Sequence, residues 1–151
     1  MRKSAALFLV IVLAVYGQQA SAACSTETIK GKFMLSGAAE ALIDFDPPST
    51  ALAFLAGRVV FDGDNKVTIS NGKLAGLGSI FDFTASGRYK LNANCVGLAT
   101  ISADTELGVF EWDFHMYVSG TAKNPTIDAI YNPADEPGGE SGLMRLLKSR
   151  I

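Results

Sequence analysis

Glu111, Asp113 and His115 alternate through one stretch of the chain, and His115 is its single histidine. Carboxylates beside an imidazole could hold a metal ion or relay a proton, because histidine is the side chain that titrates near neutrality. Residues two apart on a strand lie about 6.7 Å apart, so either chemistry needs a further group from a neighbouring strand. The plainer reading of the three is a solvated outer face. A hydrolase triad would have to use His115, but Gly76-Leu77-Gly78-Ser79 and Gly139-Glu140-Ser141-Gly142 both miss the G-x-S-x-G register of a nucleophile elbow. Gly76 and Gly78 lack the third glycine of a phosphate-binding loop. One histidine and two cysteines exclude zinc sites of the four-cysteine or two-histidine type and iron–sulfur clusters held by cysteine alone. No metal and no cofactor is expected.

The two cysteines, Cys24 and Cys95, have their own chemistry. A redox-active pair would want C-x-x-C spacing, which they lack. A disulfide between them would close a loop of about 70 residues and stabilise the fold by roughly 4 kcal/mol on the chain-entropy model. Such a bond belongs to an oxidising compartment, and the N-terminus agrees. Arg2 and Lys3 precede an apolar run from Ala5 to Tyr16, followed by the small residues Ala20-Ser21-Ala22. That order is a secretory signal peptide over residues 1–22, leaving a domain of residues 23–151 that is secreted or periplasmic. The run would span only about 18 Å as a helix against a hydrocarbon core of ~30 Å, so no permanent membrane span is expected. Cys24 could instead be the acylated first residue of a lipoprotein, although Ser21 stands where such signals place leucine.

Fifteen acidic and 13 basic residues leave a net charge of −2, without the basic footprint that nucleic-acid binding leaves. Arg145, Lys148 and Arg150 are too few to make a membrane patch and read as a solubilising surface. Proline in Asn124-Pro125-Thr126 blocks that glycosylation acceptor.

The residues that could do chemistry must be positioned by short strands. Turn residues recur every 8 to 12 positions and helix signals are nearly absent, which predicts an all-β domain. Strands are predicted over 28–36, 53–61, 66–74, 79–86, 87–91, 97–103, 106–118 and 126–131. Asp62-Gly63-Asp64-Asn65 and Asn92-Ala93-Asn94-Cys95 are tight turns. Residues 132–142 carry two prolines and three glycines and read as a loop. Residues 37–50 form a second long connection that could cap one end. Leu143, Met144, Leu146 and Leu147 fit helical spacing, but nine residues are marginal for a helix, and 143–151 reads as a closing strand. About eight strands predict a single antiparallel β-barrel, filled by side chains or just able to hold one small ligand.

From Gly87 to Thr100 the chain resembles a group of small secreted bacterial proteins of unknown function that carry G-x-Y-x-[VL]-N-x-[DN]-C-x-G-x-A-T. The group also has a Cys-Ser start before a Lys-Gly-x-[YF] strand, matched by Cys24, Ser25, Lys30, Gly31 and Phe33. Its Phe-Asp-Gly-[DN]-[GN] hairpin is matched by Phe61 to Asn65. The resemblance covers roughly residues 24–120, and the end from Asn132 to Ile151 departs from the group's short tails. These proteins look like the allene oxide cyclase and lipocalin class of barrels, an analogy that implies a fold and conveys no activity.

Phe110, Trp112, Phe114, Met116 and Val118 share one strand face, with Glu111, Asp113, His115 and Tyr117 on the other. The apolar face is expected to point inward. With Phe33, Phe81 and Phe83 it makes either a dry core or a pocket for one small apolar molecule, for which Phe81, Phe83, Phe110, Trp112, Phe114 and Met116 are the candidate lining. Two further functions stay open: a cofactor-independent cyclase or isomerase that folds an apolar substrate, and a surface or matrix protein that acts through its exterior.

Overall fold

Eight strands close into one antiparallel barrel in the computed structural model, which describes residues 23–43, 49–76, 78–106, 108–131 and 141–149. They are β1 Gly31–Ile43, β2 Ser49–Phe61, β3 Lys66–Gly76, β4 Ser79–Leu91, β5 Val96–Thr105, β6 Gly108–Gly120, β7 Pro125–Tyr131 and β8 Ser141–Lys148. Each pairs with the next, and β8 closes on β1 through Phe33↔Lys148 to Glu40↔Ser141, so the sheet closes on itself. The signal peptide expected over 1–22, Asp44 to Pro48, and most of the loop expected at 132–142 lie outside the described residues.

The expected elements need four corrections. Residues 79–91 form one strand, not two, because Gly87 continues the ladder. A Cβ there would stand 2.0 Å from the Thr100 carbonyl oxygen, so glycine permits a close approach of β5 rather than a turn. Residues 37–43 and 49–50 belong to β1 and β2, so the long connection expected there is mostly hairpin. Ser141 and Gly142 likewise belong to β8. Thr28 and Ile29 are not strand but end a 3-10 turn over Thr26–Ile29.

Opposed residues spiral round the wall because the strands tilt. From Leu91 the inward row passes Gly97, Met116, Ala129, Met144, Gly37, Leu55 and Leu74 and returns to β4 at Phe81. Buried inward positions are apolar along every strand, and no buried side chain among the described residues is charged or an amide.

One end of the barrel is sealed by the N-terminal segment. Cys24 is bonded to Cys95 in the β4–β5 turn, with Cα atoms 5.0 Å apart, and its N–H donates to the Ala93 carbonyl at 3.1 Å. The 3-10 turn then directs Ile29, fully buried, into the barrel end above Phe33, Phe61 and Tyr89. Phe61 meets Phe33 and Tyr89 edge-on at 5.5 and 5.0 Å, an arrangement that suits the ring quadrupoles. The neighbouring β2–β3 turn is fixed by Asp62, whose Oδ1 accepts from the backbone N–H groups of Asp64, Asn65 and Lys66 at 2.8, 3.0 and 2.9 Å. Those bonds, led by the one from Lys66, hold its carboxyl below the usual carboxylate range.

The Tyr89 hydroxyl donates to the Thr26 carbonyl at 3.4 Å, and burial pushes its phenol up to about 12, with Asp62, Glu27 and Asp64 adding in the same direction. A raised native value means the native state holds the proton more tightly than the unfolded chain. The stability that this phenol contributes is therefore intact below the unfolded tyrosine value of 10.0 and is lost as pH climbs through about 12. Urea midpoints taken on either side of pH 10 should fall with rising pH in the wild type and fall less in Tyr89→Phe, which has no phenol to ionise.

Candidate functional site

The opposite end, where β4 and β6 begin, is built from aromatic side chains. Phe81, Phe83 and Ala85 point inward from β4, and Phe110, Trp112 and Phe114 from β6. Trp112 is the hub. Its ring meets Phe83 at 5.6 Å, Phe114 at 6.3 Å and Tyr131 of β7 at 6.4 Å, all edge-on, and Phe114 meets Tyr131 at 5.6 Å. Phe83, Phe114 and Tyr131 are buried and Trp112 is half-buried, so the four rings form a floor with one member reaching solvent. Toward the strand starts, Phe81 is half-buried, while Phe110 is 43% and Val109 66% exposed.

The floor depends on a bulge in β3. The register of β3 against β4 shifts between Ile69 and Gly72, with Asn71 at φ 51°, and the extra residue brings Gly72 under the Phe83 ring. A Cβ on Gly72 would stand 2.6 Å from that ring. Gly72→Ala should therefore tilt Phe83 off Trp112 and cost about 1–3 kcal/mol. The checks are a urea titration and the near-ultraviolet dichroism of the aromatic cluster.

Of the residues expected to line a pocket, Phe83, Trp112 and Phe114 touch as a cluster, and Phe81 and Phe110 stand at the same end. Met116 lies deeper, fully within the core beside Gly97. Tyr131 was not among the candidates, although its parity with Ile127 and Ala129 marks it as inward.

Below the floor the barrel is filled. A cavity of about 40 Å³ is lined by Leu35, Val59, Phe61, Val67, Ile69, Ala99, Ile101, Phe114, Ala129, Met144 and Leu146. Ligand pockets run to roughly 300–1,000 Å³, so this cavity is a packing void of the core.

Glu111, Asp113 and His115 sit on the outer face of β6 as expected, opposite Ser102, Thr100 and Leu98 of β5. His115 also faces Ile130 of β7. None of these neighbours is a carboxylate, a thiol or an imidazole, and among the described residues no three such groups converge on a metal position. Asp113 is half-buried, and its Oδ1 is buried without a hydrogen-bond partner among the described residues.

Among the described residues no helix is long and apolar enough to cross a membrane. Comparison of the chain with protein-family models, with curated proteins and with solved structures returns no match.

Proposed function

We propose that this chain is an exported β-barrel that binds a small apolar molecule against the aromatic floor of Phe83, Trp112, Phe114 and Tyr131. The observation that carries the reading is the difference between the two ends of the barrel. One is sealed by Ile29, the 3-10 turn and the Cys24–Cys95 bond. The other offers a ring cluster, with Trp112 half-buried and Phe110 exposed beside it. Apolar surface flanked by aromatic edges is what small hydrophobic ligands recognise. Export rests on the signal-peptide pattern of residues 1–22 and on a disulfide suited to an oxidising compartment.

Trp112 is the chain's single tryptophan, so its emission reports on this end of the barrel alone. Titration with dodecanoate below its micelle concentration should shift and saturate that emission. Phe110→Asp, at an exposed position, should weaken the effect by roughly tenfold or more while leaving the melting temperature unchanged. An emission indifferent to dodecanoate and to uncharged apolar probes would overturn the reading.

A further inference from the structure

The barrel's exterior is two-sided. Along β4 the outward side chains from Asp82 onward are polar, Asp82, Thr84, Ser86, Arg88 and Lys90, with an exposed Ile80 only at the strand's start. On the β7–β8–β1–β2 side the pattern reverses. Phe54, Ala38, Leu143 and Ile130 oppose one another in a single row across four strands. Met34 and Leu147 form a parallel apolar pair four residues along, and Leu52 stands two residues from Phe54 on β2, opposite Glu40 in register. These six large side chains are between 43% and 63% exposed. Between the rows lie Ala56, Ser36 and the ion pair of Arg145 with Asp128 at 2.7 Å.

The sequence carries the same signal. Residues 51–56, Ala-Leu-Ala-Phe-Leu-Ala, are an unbroken apolar run, and Leu143-Met144 and Leu146-Leu147 flank Arg145 on β8. Alternation is what a strand with one wet face shows, whereas a continuous run marks a strand covered on both faces. The barrel interior covers only one.

We infer that this face is the interface of a symmetric dimer, β1 and β8 of one copy packing on β1 and β8 of a second. Two arguments favour a second copy as the occupant. Each of the six side chains exposes roughly 80 Å² of apolar surface, about 500 Å² together. A stable interface takes about 800 Å² from each partner, of which some 450–500 Å² is apolar. The charges at the centre, Arg145 and Asp128, cancel, and Glu40, opposite Leu52 in register, is offset by Arg58, so the same patch on a two-fold mate brings matching apolar rows and no net charge. Arg58, opposite Met34, lies at the margin, where an interface is polar.

The test is sedimentation equilibrium of residues 23–151 without added ligand, from low micromolar to several hundred micromolar. The wild type should sediment at twice the chain mass. Leu143→Asp and Phe54→Asp, on different strands of the apolar row, should each weaken the dimer by roughly tenfold or more. Thr68→Asp, on the polar side, should leave it intact. Unaltered thermal melts establish that each variant is folded. A wild type that stays monomeric throughout, or a monomer taken up by lipid vesicles, overturns the inference. So does a dimer sensitive to Thr68→Asp and indifferent to Leu143→Asp and Phe54→Asp. Phe110→Asp should remain dimeric, so failure of ligand binding and failure of the dimer are distinguishable.

Discussion

Replacing Cys24 and Cys95 together by serine is expected to lower the unfolding free energy by about 4 kcal/mol. The bond joins residues 71 apart, so in the unfolded chain it constrains more than half of the domain. Both residues are half-buried, so serine fits without leaving a hole, and the loss measures the tether itself. The tether also holds the 3-10 turn over Tyr89. Without it the turn should fray, water should reach the phenol, and the Tyr89 titration should move from about 12 back toward 10.0. Urea denaturation of the double variant, with a spectrophotometric tyrosine titration, checks both effects. A change in midpoint with no move of the Tyr89 phenol would mean that packing of Ile29, not the disulfide, keeps that end sealed.

Phe61→Ala is the second severe lesion, at about 4 kcal/mol. Phe61 is 2% exposed, packs edge-on against two rings, and already borders the 40 Å³ cavity. Truncation enlarges an existing void instead of opening a new one. The walls belong to a closed ladder and have little freedom to collapse, which places the cost toward the upper part of the range for phenylalanine. The variant should hold the wild-type fold at low temperature and melt well below the wild type. A loss under about 1 kcal/mol would show that the barrel wall moves in to fill the space.

Where a single residue type decides the local geometry, the amino-acid order predicts this fold well. Asp62-Gly63-Asp64-Asn65 supplies a carboxylate able to take three backbone donors, and the turn forms there. The strict alternation on Phe110 to Val118 predicts which face of β6 points inward, and Leu143 to Lys148 closes the barrel as strand because Met144 and Leu146 alternate inward. Gly87 reads as a breaker in isolation. Only its neighbour β5 reveals that the missing Cβ serves a close approach. The 3-10 turn is likewise invisible locally, since Thr28 to Ser36 has strand composition. What turns Thr26–Ile29 aside is the distant tether at Cys95 and the space above Tyr89.

The candidate site shows the same division. Inward aromatics were legible by parity, whereas their depth was not, because depth follows the tilt of the strands. The spiral that puts Leu91 and Phe81 in one row also places Met116 in the middle of the core and Phe110 at the rim. The bulge at Asn71–Gly72 that seats Phe83 depends on pairing across two strands. The apolar exterior of β2 and β8 is legible in the apolar runs of residues 51–56 and around Arg145, but such runs equally describe a core until the inner face has been assigned.

The decisive experiment is the mass of the intact exported protein, recorded under denaturing and then under native conditions. The denatured chain should have the mass of residues 23–151 less two hydrogens, with no lipid on Cys24. The native chain should carry an additional small apolar molecule, and Phe110→Asp should lose it. A native mass equal to the denatured one, unchanged after incubation with dodecanoate, would contradict ligand binding at the aromatic end. A diacylglyceryl adduct on Cys24 would contradict the disulfide-sealed, released form.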